Sequence, residues 1–208
     1  MTGVGALSAS YFSHALPPGS ILAILRGHGV DRTLALAESV WAAGVNLVEI
    51  PLQDSRSLVA LRETVELGKT LGKEVGAGTI VSTELVARAR EAGAAFTVAP
   101  GLDPLVVAAS GEHGLPHLPG VFTPSDIQAA MSSGFSWMKL FPASVLTPAG
   151  LRQLRGPFPD VSFVATGGVE VASAEEYFRA GARAVGIGGA VESITAADVV
   201  ELGMGVPR

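Results

Sequence analysis

No cysteine occurs in the 208 residues, which removes disulfides, thiolate nucleophiles, iron–sulfur clusters and cysteine-held zinc together. Charge is scarce as well: Asp, Glu, Lys and Arg make up 16% of the chain, against about 25% in average globular proteins. The only lysines are Lys69, Lys73 and Lys139. A formal charge of −5 argues against nucleic acid as a partner, because binding a phosphate backbone needs gathered Lys and Arg. Residues 1–25 carry no Asp, Glu, Lys or Arg, yet Gly, Ser and Pro17-Pro18 break them, and they lack both a basic n-region and a continuous apolar core. Neither a signal peptide nor a membrane span is expected, so a mature cytoplasmic chain is the expectation. The four histidines show no ligand spacing, so no metal is expected either.

Glycine, by contrast, is abundant, at 26 of 208 residues, and 48% of the chain is apolar. That length and composition suit one domain over residues 1–208 with a large buried core. Eight apolar runs bounded by Gly or Pro recur: 21–27, 46–52, 74–81, 94–101, 115–122, 135–142, 161–169 and 182–191. Such runs fit parallel strands covered on both faces, although a short buried helix segment gives the same signal. The intervening segments, such as 32–43 and 83–92, repeat their apolar residues at three- and four-residue steps, the helical period. Gly44, Gly72, Gly93, Gly114, Gly134 and Gly181 stand where these helices should stop in a left-handed conformation. One further helix, near 151–154, should end differently, at Gly156-Pro157. Asp31, Ser82, Asp103, Thr123, Thr147 and Ser173 offer capping oxygens at the starts.

A strand–helix unit repeated eight times predicts a single-domain (β/α)8, or TIM, barrel. The open doubly wound sheet is the alternative, but Gly76-Ala-Gly78-Thr-Ile-Val81 lacks the third glycine of a dinucleotide fingerprint, and no phosphate-loop Gly-Lys-Ser/Thr sequence occurs. The last helix looks short for a barrel, and residues 1–20 are expected to form an extension or a helix that caps the barrel's open end.

Three charged residues sit inside or at the C-terminal ends of these runs: Arg26, Glu49 and Lys139. Barrel enzymes carry their sites at that face. An ammonium flanked by Met138, Leu140 and Phe141 is disfavoured, which leaves free amine that attacks carbonyls. The resulting imine, once protonated, draws electrons from the neighbouring carbon–carbon bond, and Glu49 could shuttle the protons. A buried ion pair of purely structural use is the alternative. Thr166-Gly167-Gly168 and Gly186-Ile-Gly188-Gly189 end the last two runs, where barrels hold phosphate on backbone amides. Ordinary tight turns would explain these glycines too. Gly76-Ala-Gly78-Thr79 could bring the Thr79 hydroxyl to the same mouth, while His28 and His117 read as packing or supporting residues.

Taken in order, Glu49-Ile-Pro-Leu, Gly76-Ala-Gly-Thr79, Pro100-Gly101, Pro119-Gly-Val-Phe-Thr-Pro124, Lys139-Leu-Phe-Pro-Ala143, Thr166-Gly-Gly168 and Gly186-Ile-Gly-Gly189 resemble the 2-keto-3-deoxy-6-phosphogluconate aldolases. That family includes 4-hydroxy-2-oxoglutarate and 6-phosphogalactonate aldolases. The resemblance implies a class I aldolase without metal or other cofactor, commonly a homotrimer, that acts on a keto-deoxy sugar acid and releases pyruvate. Lys139 matches the imine-forming lysine and Glu49 the acid–base glutamate. Arg26, Thr79, Pro100, Pro142 and Gln53 fall at substrate-binding positions, and Gly167, Gly168, Gly188 and Gly189 at phosphate-binding ones. Two positions depart from the pattern. Gln53 stands where some gluconate-type members carry Arg, so that Ile50-Pro-Leu-Gln53 is similar to the galactonate type. Ala190 stands where a serine usually follows the strand-eight glycines, and the lost hydrogen bond to a charged group is worth about 1.5–3 kcal/mol. These departures keep open the galactonate and 4-hydroxy-2-oxoglutarate activities, and also a phosphosugar-binding barrel without turnover. A phosphosugar isomerase is a further alternative, although such barrels usually lack the lysine.

Overall fold

A computed structural model describes residues 3–189 and 191–204. Its strands are β1 (Ser20–Ile24), β2 (Leu47–Pro51), β3 (Glu74–Gly78), β4 (Thr97–Val98), β5 (His117–Leu118), β6 (Gly120–Val121), β7 (Trp137–Leu140), β8 (Ser162–Thr166) and β9 (Ala184–Ile187). Helices follow them: α1 (Val4–Ala15), α2 (Val30–Ala42), α3 (Ser55–Leu71), α4 (Thr83–Glu91), α5 (Pro104–Glu112), α6 (Pro124–Ser132), α7 (Ala143–Arg155), α8 (Val171–Arg179) and α9 (Ala196–Met204), with a 3-10 turn at Val191–Ser193. All paired strands run parallel, in the order β5-β4-β3-β2-β1-β9-β8-β7-β6. β5 and β6 are two halves of one barrel strand interrupted at Pro119, which has no N–H to give. Its carbonyl still accepts from Lys139 N at 2.8 Å. With β5 joined to β4 and β6 to β7, eight barrel strands close the ring, and the expected (β/α)8 barrel is observed.

Every expected run contains one of these strands. The runs read as continuously apolar because both faces are buried, yet the faces differ. Along β2, Leu47 points into the barrel while Val48 and Ile50 meet the helices; along β7, Trp137 points in while Met138 and Leu140 point out. Side chains alternate along a strand, so Glu49 and Lys139 occupy the interior one layer above Leu47 and Trp137. Thr166 stands in the same way above Val164 on β8.

The layer beneath them is apolar. α1 and the residue that ends it insert Phe12 and Leu16, both fully buried, among Leu22, Phe96, Leu118 and Trp137. Phe12 meets Phe96 edge-to-face with ring centroids 5.6 Å apart, and the Trp137 indole donates to Ser13 Oγ at 3.2 Å. Burying a side chain of this size is worth about 1.5–3 kcal/mol, so α1 is held in place chiefly by these two residues. Among the described residues, no helix is long and apolar enough to cross a membrane.

The six helix-ending glycines all lie in the left-handed region, from φ 64° at Gly72 to 101° at Gly181, and α7 stops at Gly156 with φ −55° instead. Ser82, Asp103 and Thr123 cap their helices as expected. Three starts differ. α2 begins after Gly29, which places Asp31 in its first turn, where a carboxylate favours the helix dipole without capping. α8 is capped at Glu170, with Ser173 as its reciprocal partner three residues on. α7 begins at Ala143, and Thr147, at φ 68°, breaks it before Pro148.

Candidate active site

Glu49 and Lys139 reach into the lumen from opposite sides of the barrel. Lys139 Nζ lies 3.9 Å from Glu49 Oε1, and the lysine is 3% and the glutamate 0% exposed. That separation exceeds a hydrogen bond, and neither Glu49 oxygen has a hydrogen-bond partner among the described residues. Burial pushes the Glu49 carboxyl above the usual carboxylate range, and the nearby charges of Lys139 and Arg26 only partly offset this. A carboxyl raised in this way holds a proton more readily than an exposed one, which suits a group that acts as an acid as well as a base.

Above the pair opens a cavity of about 300 Å³. Lys139 and Arg26 supply its cations, Phe141 and Thr166 flank the lysine, and Gly167, Gly168, Gly188 and Gly189 form the far wall. The Phe141 ring centroid is 5.1 Å from Lys139 Nζ. Thr166 is fully buried, and its Oγ1 has no partner among the described residues. Gly186, on the neighbouring strand, makes room for it, since a Cβ there would come within 2.5 Å of Thr166 Cγ2. Gly167 and Gly168 have φ of 90° and 75°, a conformation that side chains resist, and a Cβ on Gly167 would run into the Phe141 ring at 2.8 Å. Tight backbone turns facing a cavity that holds an arginine make a cradle suited to an anion.

The expected site residues therefore separate into two groups. Lys139, Arg26, Gly167, Gly168, Gly188 and Gly189 line one cavity, with Glu49 beside the lysine at its floor. Thr79 and Gln53 line a neighbouring groove of about 440 Å³ that also takes in Asp54 and Arg88, at the C-terminal ends of β2 and β3. Thr79 holds φ 59° there, an uncommon conformation for a β-branched residue. Pro100 abuts Gly120, and Pro142 precedes α7. Ala190 lies outside the described residues, so the expected missing hydroxyl has no structural description.

The sequence marks Phe141 only as an apolar neighbour of the lysine and Thr166 only as the first residue of a glycine motif, and gives neither side chain a place in the site. The signal was present: each lies two residues beyond an inward-facing position, Val164 or Lys139, and so faces the lumen by alternation. His117 faces away from it. Its Nδ1 is 2.9 Å from Thr97 Oγ1 in a buried cluster with Ser110 outside the barrel wall, and burial pushes the ring down to about 4. Among the described residues, no three His, Asp or Glu side chains gather as metal ligands.

The family model described as KDPG and KHG aldolase matches residues 13–202. A protein of Rhizobium meliloti named a probable 2-dehydro-3-deoxy-6-phosphogalactonate aldolase is 34% identical over 176 residues, covering 83% of this chain and 82% of that one. A 2-dehydro-3-deoxy-phosphogluconate aldolase of Treponema pallidum is 32% identical over 190 residues, covering 88% and 89%. Among solved structures, the KDPG aldolase of Legionella pneumophila, with pyruvate captured as a covalent carbinolamine, superposes with a TM-score of 0.77 at 26% identity. That match covers all of this chain and 99% of that one.

Proposed function

The chain belongs to the KDPG and KHG aldolase family, and from that premise we propose that it cleaves 2-keto-3-deoxy-6-phosphogluconate to pyruvate and glyceraldehyde 3-phosphate through an imine on Lys139. The observation that carries this reading is the buried Lys139–Glu49 pair, 3.9 Å apart across the lumen beneath a cavity open to the mouth.

In this reading Lys139 Nζ attacks the substrate's C2 ketone, forming a C–N bond as the carbonyl oxygen takes a proton. An acceptor 3.9 Å from Nζ is within one hydrogen bond, about 2.7 Å for O–H···O, of an oxygen on the carbon bonded to that nitrogen. Glu49 therefore delivers the proton with which this oxygen leaves as water. Once the protonated imine has formed, Glu49, now a carboxylate, removes the C4 hydroxyl proton. The C3–C4 electron pair moves toward the imine carbon, and the aldehyde departs. Glu49 returns the proton to C3 of the enamine, and water releases pyruvate and free Lys139. Burial of Glu49 favours this exchange, because it raises the carboxyl above the usual carboxylate range and so lets it hold the proton it must deliver.

Arg26 is assigned to the substrate carboxylate, which its planar guanidinium suits, and the Gly167, Gly168, Gly188 and Gly189 backbone to the phosphate. Pro100 and Pro142 are assigned to the rim, and Thr79 and Gln53, which line the neighbouring groove, to any part of the substrate that extends beyond the cavity. A galactonate-type substrate is the second reading, favoured by Gln53 and by the name of the Rhizobium meliloti relative; 4-hydroxy-2-oxoglutarate is the third. The family resemblance also supports a cytoplasmic homotrimer, which light scattering would detect as a mass three times that of the chain.

Pyruvate release from the three candidate acids, followed through coupled reduction to lactate, tests the proposal. Fastest release is expected from the phosphogluconate substrate. Fastest release from its C4 epimer or from 4-hydroxy-2-oxoglutarate would move the substrate assignment, and none from any of them would overturn the proposal.

A further inference from the structure

Among the described residues the Glu49 carboxyl has no hydrogen bond, so beyond the attraction of Lys139 at 3.9 Å its position depends on the shape around it. Gly78, the last residue of β3, lies against the carboxyl. A Cβ built on Gly78 would overlap Glu49 Oε1 and lie 2.6 Å from Cδ and 2.7 Å from Cγ, distances that real Cβ contacts do not reach. The backbone does not demand glycine at this position, because Gly78 is not among the residues in the left-handed region. It takes part in ordinary parallel pairing, opposite Pro51, and its carbonyl accepts from Leu52 N at 2.9 Å. What glycine provides is a hollow the size of a carboxyl group, on the strand beside the one that carries Glu49.

We propose that Gly78 is a positioning residue for the reaction: the absence of its side chain seats the Glu49 carboxyl against Lys139. The proposal rests on the assignment of Glu49 as the proton-transfer group. Other tight glycines of the barrel face rigid neighbours, Gly120 the Pro100 backbone and Gly76 the Phe96 ring, so a methyl there strains the scaffold. At Gly78 the obstructing atoms all belong to one side chain, Glu49 from its Cγ outward. A methyl at Gly78 therefore displaces the carboxyl and leaves the barrel standing.

Gly78→Ala is compared with Glu49→Gln and with the double variant Gly78→Ala/Glu49→Gln. Gly78→Ala is expected to fold with the circular dichroism of the parent and to lose kcat by on the order of 10²-fold, the cost of misplacing a reacting group by about an ångström. KM should change by less than about threefold, because a misplaced proton donor affects the chemical step more than substrate binding. The acid limb of the pH–rate profile should move to lower pH as the carboxyl leaves its dry seat. Because Gly78 is held to act only through the Glu49 carboxyl, the double variant Gly78→Ala/Glu49→Gln should be no slower than Glu49→Gln alone. A merely structural role for Gly78 would instead make the two losses multiply.

Parent-like kcat and pH profile in Gly78→Ala, with Glu49→Gln inactive, would overturn the proposal alone. Full activity in Glu49→Gln would overturn the base assignment and the proposal with it. An unfolded Gly78→Ala would also overturn it, since only the carboxyl is held to yield.

Discussion

His117 predicts how stability depends on pH, independently of the chemistry. The ring is fully buried outside the barrel wall, its Nδ1 2.9 Å from Thr97 Oγ1, and its Nε2 has no partner among the described residues. A neutral imidazole can accept this arrangement, whereas the imidazolium would bury a charged N–H without an acceptor. Burial accordingly holds the folded-state value at about 4, against 6.5 when unfolded. Between these two values the unfolded chain binds more protons than the folded one. Stability from this residue is therefore complete above pH 6.5, falls as the pH drops toward 4, and is level below that. At 1.36 kcal/mol per unit, the loss amounts to about 3 kcal/mol, a large share of the ~5–15 kcal/mol that holds a domain folded. His117→Asn keeps a hydrogen-bonding group near the Nδ1 position and does not titrate. Urea unfolding of both proteins from pH 7.5 to 4 gives the difference, in which the contributions of all other groups cancel. The parent should lose about 3 kcal/mol more than the variant over that interval. Parallel stability curves would refute the reasoning, as would a His117 NMR signal that titrates near 6.5 in the folded protein.

The lower plug of the barrel should show in thermal melts. Phe12→Ala removes a fully buried ring and should cost about 3–5 kcal/mol, which lowers Tm by about 6–20 °C in a chain of this size; a shift under about 2 °C would mean that α1 does not seal the barrel. Arg26→Ala removes the cavity cation other than Lys139. Its KM should rise roughly 10- to 150-fold, the equivalent of a 1.5–3 kcal/mol hydrogen bond to a charged group, and an unchanged KM would exclude Arg26 from substrate binding. Glu49→Gln should lower kcat by about 10²–10⁴-fold, the usual contribution of a positioned acid–base group, as read in the lactate-coupled assay; a kcat within threefold of the parent would remove Glu49 from the chemistry.

The barrel was legible because its strands are buried on both faces, and glycines close most of its helices. Helix starts were less legible. Asp31 and Ser173 have capping side chains but lie inside the first turn, and residue type alone does not separate an N-cap from the positions just after it. α1 gave little helical signal because it has no Asp, Glu, Lys or Arg to mark an outer face, and its place is fixed by Phe12 and Leu16 entering the lumen. Within the site, Glu49 and Lys139 stood out as charges inside apolar runs. Thr166, Phe141 and Gly78 carry no charge, and their importance comes from which strands become neighbours when the barrel closes. The same limit applies to Thr79 and Gln53: nearness to a strand end in sequence does not say which side of the mouth a loop residue faces.

The most direct measurement is imine trapping. The protein is incubated with pyruvate, reduced with borohydride and digested, and the added mass is mapped by peptide mass spectrometry, with Lys139→Ala as the control. A single pyruvyl-derived adduct on Lys139, absent from the control, is the expected result. A folded protein that gains no adduct, or gains it on Lys69 or Lys73, would contradict the assignment of Lys139 as the imine-forming residue.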